Sequence, residues 1–107
     1  MRTKEFVYAF APDCRRRQIV RRSQRTILGF VVQLECFAAE RWHPILRFDT
    51  AHGFAHRDVL HPDGRVEKTP LPAYDFNEAL TLAEEELRRT WEQYRDQFLK
   101  ELRRHEP

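Results

Sequence analysis

The feature that most constrains the fold is an apolar stripe through the last third of the chain. Between residues 75 and 104 apolar side chains recur three or four positions apart, at Phe76, Leu80, Ala83, Leu87, Trp91, Tyr94, Phe98 and Leu102. This spacing places all of them on one side of an α-helix. Asp75, followed three positions later by Glu78, is typical of a helix N-cap with a capping box. The spacing predicts one amphipathic helix over 75–104, whose stripe needs a surface to cover it.

The preceding residues are typical of antiparallel β-structure, which can supply that surface. Alternating or continuous apolar runs bounded by turn residues predict strands at 4–10, 25–38, 43–50, 55–60 and 65–71. The basic segment after residue 13 is interpreted as partly strand. We predict an α+β fold in which a small antiparallel sheet of four to five strands, residues 4–72, packs on one long C-terminal helix.

Length and composition bound the class of protein. The 107 residues suffice for a single domain, 1–107, and the 41% apolar content excludes a disordered chain. No run of 18 apolar residues is present, and the first ten residues lack the features of a signal peptide. We therefore expect a cytoplasmic protein without a membrane partner.

The two cysteines fit that compartment. Cys14 and Cys36 form no CxxC motif and have no metal-ligand spacing. We interpret Cys14 as a loop thiol and Cys36 as a small, half-buried apolar side chain. Both are expected to be reduced.

The length of the helix predicts a partner. Thirty residues rise about 45 Å, whereas a row of strands four or five residues long spans roughly 15–20 Å. The aromatic end of the stripe, from Trp91 to Leu102, is then left uncovered, and a homodimer through the C-terminal helix is the simplest cover. Two alternatives remain open: the helix bends near Thr90, or the N-terminal segment covers its end.

Polar residues cluster around one bend. Residues 47–65 hold three histidines, three aspartates and two of the three glycines. Because side chains alternate along a strand, Arg47 and Asp49 share one face, and His56 and Asp58 share another. Pairing of these strands around the bend at 50–55 places all four side chains on one sheet face, which Gln33 and Glu35 can join. The register that decides this is not fixed by the sequence.

Three interpretations of this cluster compete. In the first, a histidine oriented by a carboxylate transfers a proton and an arginine stabilises phosphate charge, with Arg47, Asp49, His52, His56 and Asp58 as candidate catalytic residues. In the second, His52, His56 and Asp58 bind a divalent metal, although their spacing matches no established signature, so no cofactor is predicted. In the third, the groups form structural ion pairs and turn caps.

Positive charge is concentrated in one segment. Residues 14–34 carry six arginines and no acidic residue, although the net charge of the chain is only +2. Arginine suits phosphate recognition, so this run indicates nucleic-acid binding by Arg15, Arg16, Arg17, Arg21, Arg22 and Arg25. The alternative is a strand edge kept soluble by its charge.

A local motif resembles a known family. The run Phe48-Asp49-Thr50-Ala51-His52-Gly53, followed by Ala55-His56-Arg57-Asp58, is similar to the aromatic–Asp–x–Ala…His signature of small TumE-like toxins, which are encoded beside an antitoxin. The resemblance covers residues 45–65. It implies a small sheet with a histidine-containing bend, followed by a helix. It also implies an RNA- or nucleotide-directed toxin held inactive by a partner, with Asp49, His52 and His56 as the matching residues.

The sequence therefore favours a toxin-like protein acting on RNA or a nucleotide through a His/Asp/Arg face of the sheet, as a ribonuclease or a nucleotide-directed enzyme. One alternative is a non-catalytic module that binds nucleic acid or protein, as an antitoxin-like or accessory partner. The other is a structural homodimer with no site.

Overall fold

One antiparallel sheet and one helix make up the structure, a computed structural model that describes residues 1–104. The strands pair in chain order: β1 (Arg2–Ala11), β2 (Cys14–Ser23), β3 (Thr26–Ala38), β4 (Arg41–Asp49), β5 (His56–Leu60) and β6 (Val66–Pro70). The helix α1 (Phe76–Arg104) packs across one face. The predicted α+β fold is confirmed, with six strands rather than four to five. Within residues 1–104 no helix is both long and apolar enough to cross a bilayer.

β2 is the strand that the sequence indicated only in part. It is paired along its length with β1 on one side and with β3 on the other. Its inward positions include the buried Cys14, Gln18 and Val20, but arginines occupy both of its faces, so its alternation is masked. The basic run is therefore an interior strand of the sheet, not an edge.

The core lies between α1 and the face of the sheet that carries the apolar residues of β3 and β4. Phe30, Val32, Leu34, Leu46 and Phe48 are buried there against Ala79, Leu80, Ala83 and Leu87 of the helix. Leu28 would share this face with Phe30 by simple alternation, but it is 38% exposed. A register shift pairs Arg21 with Gly29 but Arg22 with Ile27, so Leu28 bulges out and Ile27 takes the buried place.

The sheet covers the aromatic end of the helix. β2 and β3 run for 10 and 13 residues, far longer than the four or five assumed from the sequence. Phe10 of β1 stacks on Trp91 with ring centroids 5.1 Å apart, and His43 of β4 lies 5.3 Å from the Phe98 ring. The N-terminal segment therefore covers part of the apolar stripe of α1. The stripe no longer requires a second copy of the chain to cover it.

Polar contacts fix the start of α1 and tie the middle of the helix to the sheet. The predicted cap is confirmed: Asp75 Oδ1 accepts a hydrogen bond from the Glu78 amide at 2.8 Å. Further along, Arg57 Nε donates to Glu86 Oε2 at 2.6 Å, and this pair ties β5 to the helix. Burial opposes the charged form of Arg57, but the hydrogen bonds to Glu86 outweigh it and raise the pKa of Arg57.

The cysteines form a disulfide, so the expectation of two reduced thiols is wrong. Cys14 and Cys36 stand directly opposite each other in the β2–β3 ladder, with Cα atoms 4.2 Å apart, and their sulfurs are bonded. Both residues are buried. Their separation of 22 residues carries no motif, so only the strand register reveals that they meet.

Candidate functional site

The face of the sheet opposite α1, called here the open face, carries the polar residues predicted to lie together. The register pairs Asp49 with His56 and Arg47 with Asp58 across β4 and β5. Arg47 also faces Gln33 of β3, and its Nε donates to Gln33 Oε1 at 2.7 Å. The two strands therefore bring Arg47, Asp49, His56 and Asp58 to one face, as the strand parity indicated.

Three of these side chains form a buried group, called here the Asp–His–Asp cluster: Asp49, His56 and Asp58, whose residues are 8%, 1% and 5% exposed. His56 Nε2 lies 2.8 Å from Asp49 Oδ1 and 3.8 Å from Asp58 Oδ1. Asp49 Oδ1 also accepts a hydrogen bond from the Ala51 amide at 3.0 Å. Two carboxylates thus flank one edge of a single imidazole.

A tight bend holds this arrangement in place. After β4 the chain turns through Ala51–Gly53, where His52 and Gly53 have φ of 70° and 87°, a left-handed conformation that glycine adopts readily. The bend returns the chain so that His56 faces Asp49. His52 itself is exposed, and no contact joins it to the cluster within residues 1–104. The structure does not bring His52 together with the other candidate catalytic residues.

Beside the cluster lies a hollow of about 430 Å³ on the open face. Its lining comes from β1, β2, β3, the end of β4 and the bend, and consists of Thr3, Ile19, Arg21, Gly29, Phe30, Val31, Asp49, Thr50 and Ala51. Asp49 is the member of the cluster that reaches the hollow, with a side chain 12% exposed. His56 can act on a ligand in the hollow only through Asp49.

Gly29 gives the hollow its shape. A Cβ at this position would lie 3.0 Å from Thr50 Oγ1 and 3.1 Å from Arg21 Nη2, closer than ordinary van der Waals contact. The absence of a side chain lets the Arg21 guanidinium and the Thr50 hydroxyl both lie close to Gly29. A glycine inside a predicted strand is a signal for such a close approach.

The arginine run does not form one basic patch. Arg15 and Arg17 lie on the open face but are paired with Glu35, through their Nε atoms at 2.8 and 3.1 Å. Arg17 also pairs with Glu5 at 3.1 Å. Arg21, between these pairs and the bend, is the arginine of this run that lines the hollow.

The other arginines of the run point elsewhere. Arg16 lies on the helix side of the sheet, with its guanidinium carbon 5.2 Å from the centre of the Tyr8 ring. By strand alternation Arg22 shares that side. Arg25 is exposed in the turn before β3, where its carbonyl accepts a hydrogen bond from Asn77. Twofold alternation therefore splits the six candidate binding residues between both faces.

Glu35 holds the paired arginines in place. Burial raises the pKa of this carboxyl group, but hydrogen bonds from Arg15, Gln33 and Arg17 outweigh burial and leave the pKa below its ordinary value of 4.5. The same bonds raise the pKa of Arg17. This network occupies Arg15 and Arg17, so Arg21 is better placed than either to bind a ligand.

Lys68, like Gly29, is a residue near the site that the sequence did not indicate. It stands opposite Asp58 in the β5–β6 ladder and donates to Asp58 Oδ2 at 3.3 Å. Only the register of the edge hairpin reveals this pairing. Together with Asp49 and His56, Asp58 forms a set whose potential metal-ligand atoms all lie within 4.8 Å of one another. The cluster is therefore the place in residues 1–104 where a metal ion could be held.

Comparison with known proteins gives a family. The model of a family described as a domain of unknown function (DUF7718) matches residues 1–104, and the chain belongs to that family. No curated protein and no solved structure matches the chain. The argument for function therefore rests on the site itself.

Proposed function

We propose that this member of the DUF7718 family binds RNA or a nucleotide in the hollow of the open face and hydrolyses a phosphoester there. One observation carries the proposal: Arg21 and the Asp49 carboxylate line the same hollow, while the buried His56 holds Asp49 in place. A cation for the phosphate and an acceptor for a hydroxyl or water are thus side by side.

The lining suits a phosphate with an attached base. Arg21 offers a planar guanidinium fork that matches two phosphate oxygens. Thr50 Oγ1 accepts a hydrogen bond from the Phe30 amide at 3.0 Å, which leaves the hydroxyl hydrogen for a ligand. Ile19 and Val31 give the hollow an apolar part against which a base can pack. A volume of about 430 Å³ lies within the range of small-molecule sites.

The resemblance to TumE-like toxins rests on residues 48–58, and two of its matching residues, Asp49 and His56, belong to the cluster. A toxin of this kind acts on RNA in the cytoplasm and is held inactive by an antitoxin-like partner, and both features are part of the proposal. The homodimer expected from the sequence is not part of the proposal, because Phe10 and His43 cover the aromatic end of the helix stripe.

Binding can be measured with a fluorescent single-stranded RNA and with a nucleoside monophosphate. Arg21→Gln is expected to weaken binding roughly 10-fold or more, since a charge-assisted hydrogen bond contributes about 1.5–3 kcal/mol. The salt dependence for RNA should also become shallower by about one charge. Arg89→Gln, at an exposed position of α1, makes the same charge change away from the site and should bind as the wild type. Equal affinity of the Arg21→Gln variant would contradict the proposal.

Turnover is tested by product formation from the same RNA. Asp49→Asn keeps the shape of the side chain but removes its charge, and we expect loss of cleavage with retained binding. Asp13→Asn, at an exposed position in the β1–β2 turn, is the matched control. Circular dichroism of each variant checks that the fold is kept. Cleavage by Asp49→Asn at the wild-type rate would remove Asp49 from the site.

A non-catalytic binding module is the second candidate function. It is favoured by the burial of His56 and by the ion pairs that occupy Arg15 and Arg17. This candidate predicts RNA or nucleotide binding that depends on Arg21 and on salt, without any product. Binding without turnover therefore selects the module, and turnover lost in Asp49→Asn selects the enzyme.

A further inference from the structure

Three potential acceptor atoms converge in the Asp–His–Asp cluster. His56 Nε2 faces Asp49 Oδ1 at 2.8 Å and Asp58 Oδ1 at 3.8 Å, and all three side chains are buried. Carboxylate oxygens only accept hydrogen bonds, and imidazole nitrogens accept unless they are protonated. Two buried carboxylates at one imidazole edge need positive charge beside them, and a proton on Nε2, or a cation in its place, lets His56 meet Asp49 at 2.8 Å.

The orientation of the ring bears on what supplies that charge. His56 Nδ1 lies 3.4 Å from the carbonyl oxygen of Phe54. A carbonyl oxygen can only accept, so this long contact is compatible with a proton on Nδ1, whereas the 2.8 Å contact of Nε2 with Asp49 Oδ1 is a hydrogen bond when Nε2 carries the proton. A cation bound in the cluster would replace the Nε2 proton, and the Nε2 lone pair would then point at the two carboxylates. A backbone carbonyl that holds the far ring nitrogen is the usual support of a metal-ligating histidine.

Asp58 supplies a second, independent observation. Its Oδ1 atom is buried without a hydrogen-bond partner. Lys68 Nζ forms an ion pair with Oδ1 at 3.1 Å, although its hydrogen bond goes to Oδ2 at 3.3 Å. The Lys68 side chain is 50% exposed and can swing into solvent. A buried carboxylate oxygen that accepts no hydrogen bond thus lies 3.8 Å from His56 Nε2.

We propose that the Asp–His–Asp cluster binds one divalent transition-metal cation, of the Zn²⁺ or Mn²⁺ type, through Asp49, His56 and Asp58. Imidazole and carboxylate together suit such cations better than the oxygen-only sites of Ca²⁺ and Mg²⁺. Ligand bonds of about 2.0 Å in tetrahedral geometry separate ligand atoms by about 3.3 Å. The present spacings of 2.8 and 3.8 Å lie on either side of that value, and all three potential ligand atoms lie within 4.8 Å of one another.

The position of the proposed cation gives it a role in the proposed function. Three protein ligands leave at least one coordination position open, and Asp49 places the ion next to the hollow. There it can polarise a phosphoryl oxygen of the ligand beside Arg21. In the hydrolysis that this serves, a water oxygen bonds to phosphorus, the ester oxygen leaves and a proton of that water ends on the leaving oxygen. Cation binding does not depend on the proposed function, but its action on a phosphoester does.

The test titrates the chelator-treated, purified full chain with ZnCl₂ and with MnCl₂ by calorimetry. We expect one ion per chain with micromolar affinity and a rise in Tm. Asp58→Asn should weaken binding at least 10-fold, because it removes a charged ligand. His52→Gln, an exposed histidine outside the cluster, should leave it unchanged.

Lys68→Gln should change the affinity for metal in the opposite direction to Asp58→Asn. If the cluster holds a cation, removal of the neighbouring ammonium group should tighten binding several-fold. If Lys68 is instead the resident counter-ion, the variant loses stability and gains no affinity for metal. Absence of one-to-one binding, or binding that Asp58→Asn and Lys68→Gln leave unaltered, would overturn the proposal.

The two proposals fail in different ways. A cation bound through Asp58, with no affinity for RNA or nucleotide, leaves this inference intact and removes the proposed function. RNA or nucleotide binding that depends on Arg21, in a chain that binds no cation, does the reverse.

Discussion

At the scale of single residues, Glu35 decides which arginines of β2 can meet a ligand. Its carboxylate accepts hydrogen bonds from Arg15, Arg17 and Gln33 at 2.8, 3.1 and 2.6 Å. Two of the six arginines of the basic run are thereby fixed in ion pairs. A count of positive charges along the sequence therefore overstates the charge that this strand offers to a partner.

Glu35 should also make stability depend on pH. A pKa below the ordinary 4.5 means that the folded state stabilises the carboxylate. That contribution is fully present above the unfolded pKa and is lost as the pH falls through the lower, folded value. We expect Glu35→Gln to cost about 2 kcal/mol at pH 7, because two partly buried arginines lose their partner. As the pH falls below 4.5, the difference between the wild type and the variant should shrink.

Urea unfolding at pH 7, 5, 4 and 3 measures this difference. Glu92→Gln, an exposed substitution on α1, should change the free energy of unfolding little at any of these values. A cost of Glu35→Gln that stays constant down to pH 3 would show that the ion pairs do not carry it.

The sequence predicted part of this residue-level arrangement. Strand parity put Arg47 with Asp49 and His56 with Asp58, since alternation is a strict property of extended chains. The register that brings the two pairs to one face had to come from the structure. Strand parity could not select Arg21, because reach into a hollow depends on the neighbouring Gly29 and Thr50. The sequence also grouped His52 with the site because it lies in the same bend. Proximity in sequence does not say which way a side chain in a left-handed bend points.

At the scale of elements, the contact between β1 and α1 replaces the expected dimer. Phe10 and Trp91 stack with an interplanar angle of 5°. We expect Phe10→Ala to destabilise the fold by about 2–3 kcal/mol, somewhat less than for a fully buried phenylalanine because both rings are half-buried. Phe6→Ala, on the same strand but with a ring 42% exposed, should cost far less.

A double-mutant cycle with Trp91→Ala isolates the stacking itself. The coupling energy between the two positions should be about 1 kcal/mol. Light scattering of the wild type should give the mass of one chain if this contact, and not a second copy, covers the stripe. A dimer that dissociates in Trp91→Ala would restore the interpretation made from the sequence.

The elements differ in how far the sequence predicted them. α1 was predicted to within one residue at its start, because its stripe and its Asp75 cap are local signals. β2 was indicated only in part, since arginine on both faces hides the alternation that marks a strand. The bulge at Leu28 could not be predicted, because a register shift depends on the partner strand.

At the scale of the whole molecule, a single helix on one side of a six-stranded sheet leaves the other side without a layer. The apolar residues of β3 and β4 meet α1, so the open face is free to carry ionisable groups. Burial on that face comes from neighbouring side chains, such as Phe54, whose ring centre lies 5.4 Å from that of His56. This division of the two faces is what allows a small domain to keep a core and a polar site.

The disulfide bears on the whole molecule because it joins two adjacent strands of the sheet across 22 residues. A cross-link that closes a loop of this length is expected to contribute about 3 kcal/mol by restricting the unfolded chain. For a domain of this size that corresponds to a Tm lower by about 15 °C after reduction. Thermal unfolding followed by circular dichroism, with and without a thiol reductant, measures the difference.

The double variant Cys14→Ala with Cys36→Ala separates the cross-link from other effects of the reductant. Its Tm should resemble that of the reduced wild type and should not respond to the reductant. A wild type whose Tm is unchanged when mass spectrometry shows both thiols free would contradict the prediction. Because disulfides are rare in reducing compartments, the reduced state is the relevant one if the chain acts in the cytoplasm. The open-face site must then hold its geometry without the bond, so the RNA-binding measurement should be repeated under reductant.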